Sequence, residues 1–198
     1  MHWIDPDCLI PVKSKVRRFL FNPRGQADGM ILANGLEAHF PAHLSDKVMT
    51  RFGPGDAVTL YGVKPRAADM IACVALESSR GERIDDRGPP RKAKKKGKKH
   101  DAPREAFGSE LTRIEGIVER VLHGPKGETR GVLLESGEIV RFPPHVADKN
   151  PKLLAPGRKL AVSGHALRVK RTTVIEAMEL GRARPTVERI PSKPPEHG

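Results

Sequence analysis

Aromatic residues and cysteines are scarce in this 198-residue chain, and each shortage argues against a class of structure. Phe, Trp and Tyr make up 4% of the residues, so a hydrophobic core must be built mainly from aliphatic side chains. The two cysteines, Cys8 and Cys73, form no C-x-x-C pair, which argues against a disulfide framework and a cysteine-ligated metal cluster. Reduced thiols are typical of a cytoplasmic protein.

Long apolar runs and a secretion signal are also missing. No apolar stretch approaches the ~20 residues that span a bilayer, so we expect no membrane partner. Residues 1–7 lack a basic segment followed by an apolar one, which is the pattern of a secretion signal. The sequence therefore predicts a cytoplasmic location.

Signals of catalysis are absent too: the chain has no nucleophile elbow, no phosphate loop and no H-E-x-x-H motif. His43 and Asp46 are three residues apart, and the same spacing recurs at His145 and Asp148. A His-x-x-Asp pair at the start of a helix fits a helix cap better than a metal site. The sequence predicts a protein that is not an enzyme and that needs no metal, nucleotide or organic cofactor.

What the sequence does contain is a repeat. The tetrapeptide Phe-Pro-Ala-His at 40–43 returns as Phe-Pro-Pro-His at 142–145, an offset of 102 residues. At this offset residues 16–77 align with residues 118–179 without a gap, and the Gly and Pro residues of the turns coincide. The pattern indicates an internal duplication of one module of roughly 65 residues.

Each copy predicts five strands and one short helix. Branched and aromatic residues open the copies at Val16 and Val118, and turns with Pro and Gly follow them. Tight hairpin turns are expected at Gly35 and Gly137. The helix follows the Phe-Pro element, and in the second copy Pro151 must interrupt it or start it anew.

Three strands, a short helix and two strands are the order of an OB-fold barrel. The repeated pattern G-x-x-L-x-x-G…F-P-x-H…P-G resembles small uncharacterised bacterial OB-like proteins, a resemblance that implies the fold and no activity. We expect an all-β chain of two tandem five-stranded OB-like barrels, each with a short helix between strands 3 and 4. The expected segments are an irregular lead-in (1–15), module 1 (16–78), a flexible Lys/Pro/Gly-rich linker (79–110), module 2 (111–180) and a disordered tail (181–198).

Positive charge is concentrated around the expected linker. The formal net charge is +12, and residues 79–117 hold twelve Lys or Arg residues against seven Asp or Glu residues. Lysines along an extended chain neutralise phosphates and release counterions, so the lysine run is a candidate nucleic-acid contact. A linker that only solubilises and spaces the barrels is the alternative.

The barrels supply further candidates, because OB-folds bind single strands in a basic groove with stacked bases. The second copy is the more basic one, whereas Phe21 and Tyr61 of the first copy are possible stacking platforms. The predicted nucleic-acid-binding residues are Arg91, Lys92, Lys94, Lys95, Lys96, Lys98, Lys99, Arg120, Arg130, Arg141, Lys170, Arg171, Phe21 and Tyr61.

The sequence thus predicts a nucleic-acid-binding protein that favours single-stranded DNA or RNA over duplex. Two alternatives stay open. The barrels could form a protein–protein adaptor, which a neutral apolar patch on the second and third strands would favour. They could also bind a small ligand, which would require a real pocket in barrels that side chains normally fill.

Overall fold

The computed structural model describes residues 5–66, 68–88, 111–182 and 188–189. A 3-10 helix at Pro6–Cys8 leads into the first half of the chain. The elements that follow are β1 (Val12–Phe21), β2 (Ala27–Leu32), β3 (Glu37–His39), a 3-10 helix (Ala42–Leu44), α1 (Ser45–Arg51), β4 (Ala57–Val63), β5 (Met70–Ser78) and β6 (Arg83–Asp85).

The second half repeats this order. Its elements are β7 (Leu111–His123), β8 (Thr129–Leu134), β9 (Ile139–Arg141), α2 (Pro144–Lys149), β10 (Lys159–Val169), β11 (Thr172–Gly181) and β12 (Glu188–Arg189). None of the helices in the described part of the chain is long and apolar enough to cross a membrane.

Both halves close into five-stranded barrels, which confirms the expected fold class. In the first barrel β1 pairs antiparallel with β2 and β4, and β5 pairs antiparallel with β4 and parallel with β3. Strands β7 to β11 repeat these pairings in the second barrel. This strand order, with a short helix before the fourth strand, is OB-like.

Glycine is required at matching places in the two barrels. The hairpin glycines Gly35 and Gly137 have φ values of 85° and 101°, a left-handed region that favours glycine. Gly62 and Gly164 lie at register shifts, where a Cβ atom would strike a carbonyl oxygen of the facing strand. The repeat in the sequence therefore reflects turns and bulges that both barrels need.

The helices begin differently from the sequence prediction. Neither α1 nor α2 has a side-chain cap hydrogen bond, so the predicted His-x-x-Asp caps were wrong. His43 Nε2 instead lies 3.1 Å from Asp86 Oδ1, an acidic residue that follows β6. The interruption at Pro151 is confirmed, because α2 holds Pro144 in its first turn and ends at Lys149.

Strand β6 lies within the stretch that the sequence analysis assigned to the linker. It pairs with β5, and Ile84 at its centre is buried in the first core. One apolar residue among charged ones gives no periodic signal, so the pattern did not reveal this strand. Residues 89–110, which contain the lysine run, and most of the tail lie outside the described residues.

The two barrels pack against each other. The second barrel has its own buried interior cluster. Four of its residues instead join the buried cluster of the first barrel: Leu122, Leu133, Ile139 and Val174. These side chains lie on β7, β8, β9 and β11, so the first barrel covers the outer surface of those strands.

The packing follows an approximate two-fold relation. Arg18 Nη2 donates to Gly137 O at 2.9 Å, and the equivalent Arg120 Nη1 donates to Gly35 O at 2.8 Å. Reciprocal contacts of this kind are typical of the isologous interface of a two-fold dimer. Here both partners belong to one chain.

Candidate nucleic-acid interface

The second and third strands of the barrels do not form open grooves. Both β2 and β8 contain four consecutive buried residues, Gly29–Leu32 and Gly131–Leu134. Alternate side chains of a strand point to opposite faces, so one face of each strand lies in its barrel and the other lies against the neighbouring barrel. The surface with which OB-folds bind oligonucleotides is thus occupied.

Three of the predicted binding residues take part in this packing. Arg141 Nε donates to Phe21 O at 3.1 Å, and Arg141 Nη2 lies 2.8 Å from Asp28 Oδ1. The Arg141 side chain is 9% exposed, and Phe21 is buried in the first core. Arg120 donates to a backbone carbonyl of the first barrel. We therefore leave Arg120, Arg141 and Phe21 out of the candidate interface.

Burial and charge act against each other at Asp28. Burial raises the pKa of the Asp28 carboxyl, and the positive charge of Arg141 opposes that rise. Asp28 therefore depends on Arg141 to remain ionised inside the interface. Arg141 is a structural residue, which a basic side chain on a short strand does not reveal in the sequence.

A second polar contact crosses the same interface. Glu37 is 1% exposed; it accepts a hydrogen bond from His123 N at 2.9 Å, and its other oxygen lies 2.8 Å from His123 Nδ1. His39 lies on the same strand as Glu37. Burial lowers the pKa of His39 to about 4, and the positive charge of Arg141 is the next largest cause. His39 is therefore neutral at pH 7.

Tyr61 is also engaged within the fold. Its hydroxyl donates to Glu77 Oε2 at 3.2 Å, and the guanidinium carbon of Arg83 lies 4.7 Å from the centroid of its ring. Arg83 in turn pairs with Asp7 and Asp85. This cation–π contact takes up one face of the ring, so a base cannot stack on that face.

The β10–β11 hairpin presents the most exposed of the predicted barrel residues. Lys170 and Arg171 form its two-residue turn, and both side chains are exposed. Lys170 has a φ of +53°, a conformation that costs a non-glycine residue roughly 1–2 kcal/mol. Arg168 is also exposed, and it points away from the side on which Leu167 and Val169 lie.

Leu167 and Val169 bring this hairpin against the first barrel. A Cβ atom on Gly25 would lie 3.1 Å from Leu167 Cδ2 and 3.6 Å from Val169 Cγ2. Gly25 belongs to the turn between β1 and β2, where the Asn22 side chain accepts a hydrogen bond from Arg24 N at 2.9 Å. The exposed Arg24 is thus held beside the hairpin of the second barrel.

We call Arg24, Arg168, Lys170 and Arg171 the hairpin edge: Arg24 lies beside the face that packs on the first barrel, Arg168 lies on the opposite face, and Lys170 and Arg171 form the turn. None of them makes an ion pair with an acidic side chain in the described ranges. The stretch 166–175 contains three basic residues and no acidic residue. Sequence reasoning missed Arg168, although it belongs to the same basic stretch, and Arg24, whose position depends on the packing of the barrels.

The remaining predicted residues contribute less to this surface or cannot be placed. Arg130 Nε lies 2.9 Å from Glu128 Oε1, so its charge is partly matched. The seven predicted residues between Arg91 and Lys99 lie outside the described residues. Within the described ranges, no group of three or more His, Cys, Asp or Glu residues is arranged to hold a metal ion.

Comparison with known proteins adds little. No family model and no curated protein matches the chain. Two crystal structures of the single-stranded DNA binding protein from Thermus aquaticus are similar with a TM-score of 0.25. The deletion mutant is 14% identical over 94% of this chain and 96% of that chain; the wild type is 13% identical over 95% of each. A likeness of this size carries no argument about fold or function.

Proposed function

We propose that this protein binds nucleic acid through phosphate contacts, with the hairpin edge as one part of the site and the basic residues from 91 to 99 as the other. The observation that carries the proposal is the hairpin edge itself, four exposed basic side chains from both barrels without a described acidic partner. Four phosphate contacts give a salt slope of about −2.8 on a single strand.

Single-stranded DNA or RNA is the favoured ligand. A flexible single strand can follow a short, curved surface, whereas duplex DNA has a persistence length of about 150 base pairs and resists bending. Base stacking is not part of the proposal, because Phe21 and Tyr61 are engaged in the fold. Contacts to phosphates position a ligand without reading its sequence, so we expect little base preference.

Fluorescence anisotropy with labelled single-stranded DNA, single-stranded RNA and duplex DNA tests this proposal, at about 50 and 200 mM salt. An edge variant changes the four hairpin-edge residues to Gln. A run variant changes five lysines of the predicted linker to Gln. A control variant removes four charges, as many as the edge variant, from exposed residues elsewhere. The changed lysines of the run are Lys94, Lys95, Lys96, Lys98 and Lys99; the control residues are Lys47, Lys149, Lys152 and Arg158.

The edge variant is expected to bind single strands at least about tenfold more weakly at low salt and to lose about 2.8 from the salt slope. The run variant is expected to weaken binding as well, and the control variant to change it much less. No binding by the intact chain at micromolar concentration and low salt would overturn the function. Equal losses of affinity in the edge and control variants would show that the hairpin edge is not the binding site. Tighter binding of duplex than of single strands would contradict the choice of ligand.

The adaptor alternative has less structural support. The strands on which an apolar docking patch was expected, β2 and β3, contact the other barrel instead. Within the described residues, the exposed large apolar side chains are spread over both barrels: Ile10, Val63, Leu111 and Ile117. Leu111 and Ile117 are six residues apart on β7, which is about 20 Å along a strand.

A further inference from the structure

Charged contacts between the barrels join unlike residues. Asp28 Oδ1 of the first barrel lies 2.8 Å from Arg141 Nη2 of the second, and Glu37 Oε2 lies 2.8 Å from His123 Nδ1. Asp28 and Arg141 are largely buried, and Glu37 is almost fully buried. In these two contacts the first barrel supplies the carboxylate and the second barrel supplies the nitrogen group.

A further contact lies on the approximate two-fold axis. Arg17 and Glu119 occupy equivalent positions at the offset of 102, and Arg17 Nη2 lies 3.6 Å from Glu119 Oε1. A residue that meets its own equivalent lies on the axis of an isologous interface. If two first barrels met in this way, Arg17 would face Arg17. Two second barrels would bring Glu119 against Glu119.

The contact of Arg141 also excludes a pair of second barrels. At the offset of 102, Asp28 is equivalent to Arg130, and Arg141 is equivalent to His39. A pair of second barrels would therefore place Arg130 against Arg141, a like-charge contact to an arginine whose side chain is 9% exposed. In the observed pairing the approximate two-fold relation places Arg130 opposite His39, and His39 is neutral at pH 7.

The contact of Glu37 excludes a pair of first barrels. The residue equivalent to His123 is Phe21, whose side chain is apolar. In a pair of first barrels Glu37 would face Phe21, which has a backbone N–H but no ring nitrogen, so Glu37 would lose the 2.8 Å contact that His123 Nδ1 provides. A buried carboxylate oxygen that loses its partner costs more than an ordinary hydrogen bond contributes.

We infer that this interface is selective: it admits a first barrel paired with a second barrel and excludes both pairs of identical barrels. The surface of β1 to β3 therefore recognises one partner, the second barrel of the same chain. The Asp28–Arg141 ion pair and the Glu37–His123 contact favour the mixed pair. Like charges, or the loss of the His123 ring as a partner of Glu37, disfavour the other two.

A chain that can be cut between its barrels tests the inference. A protease-recognition sequence inserted after Gly97 allows the folded protein to be cleaved, and native mass spectrometry and size-exclusion chromatography then report what stays together. The expected species is a complex of one first half with one second half. Pairs of identical halves, or halves that separate completely at micromolar concentration, would overturn the inference.

Charge reversal at one contact sharpens the test. Asp28→Arg places a second arginine beside Arg141, so we expect the cut halves to associate about 100-fold more weakly or worse. The double reversal Asp28→Arg with Arg141→Asp restores opposite charges and should recover most of the affinity. Asp46→Arg, on the exposed side of α1, is the matched control.

Circular dichroism of the uncut variants shows whether each chain folds. Two results would contradict the selective interface in chains that do fold. The first is a loss in the Asp46→Arg control that equals the loss in Asp28→Arg. The second is a double reversal that is no better than the single one.

Discussion

The two barrels share their strands and turns but differ in charge where they meet. Gly35 and Gly137 occupy the same hairpin position with the same left-handed backbone. Asp28 and Arg130, by contrast, are equivalent positions of opposite charge, as are Arg17 and Glu119. Barrel closure constrains turns in each copy separately, whereas the contact surface is constrained only by the other copy. The two copies therefore differ in charge where each must fit a partner unlike itself.

The barrels also differ in the connection between their last two strands. In the first barrel β4 ends at Val63, and residues 64–69 lead to β5. In the second, β10 continues to Val169, four residues beyond His165, the equivalent of Val63. This longer hairpin reaches the β1–β2 turn of the first barrel at Gly25. The basic surface of the proposed function thus exists only because the copies are unlike and packed together.

The largest effect is expected from Arg141→Ala. The change leaves Asp28 buried without its partner, and breaking a buried ion pair in this way costs about 3–5 kcal/mol of unfolding free energy. Arg130→Ala is the matched control in the same barrel, because Arg130 is 52% exposed and its pair with Glu128 contributes at most about 1 kcal/mol. Urea unfolding at pH 7 measures both.

Protonation provides a second readout of the same change. Burial already raises the pKa of Asp28, and loss of the Arg141 charge raises it further. A protonated Asp28 needs no cation, so the defect of Arg141→Ala should shrink as the pH is lowered towards 4. An equal loss of unfolding free energy in the Arg141 and Arg130 variants at pH 7 would show that the two arginines contribute equally to stability.

The fold could be predicted because its constraints lie within each copy. Gly and Pro residues at one fixed offset mark turns, and aliphatic runs between them mark strands. The packing of the barrels could not be predicted, because an arginine on a strand gives the same sequence signal whether it faces solvent or a second barrel. Arg141 was therefore predicted as a phosphate contact, and Arg24 was passed over. The alternation of apolar and polar residues shows which side chains share a face of a strand, but not what packs against that face.

Titration of His39 is expected to change the unfolding free energy by an intermediate amount. Burial lowers the pKa of His39 to about 4, whereas in the unfolded chain it stays near 6.5. Between these values the unfolded chain binds more protons, so this part of the stability is present above pH 6.5 and is lost as the pH falls towards 4. A difference of about 2.5 pKa units corresponds to about 3 kcal/mol.

His39→Gln should remove this contribution. Asp28 acts in the opposite direction, because its raised pKa favours the folded state as the pH falls. The informative quantity is thus the difference in unfolding free energy between wild type and His39→Gln, measured at pH 7.5 and at pH 4.5 in about 0.15 M salt. The variant should gain relative to wild type at the lower pH. Parallel pH profiles would mean that His39 titrates normally in the folded chain.

The smallest effect is expected at the axis pair. Arg17 is 58% exposed and lies 3.6 Å from Glu119, so a double-mutant cycle with alanine should give a coupling of at most about 1 kcal/mol that falls in high salt. Lys159 and Glu115 form a pair of similar exposure within the second barrel and provide the control cycle. A coupling well above that control would make the axis pair a main stabiliser of the interface. A small coupling fits selectivity, which depends on the like charges that identical barrels would bring together and not on strong attraction in the observed pair.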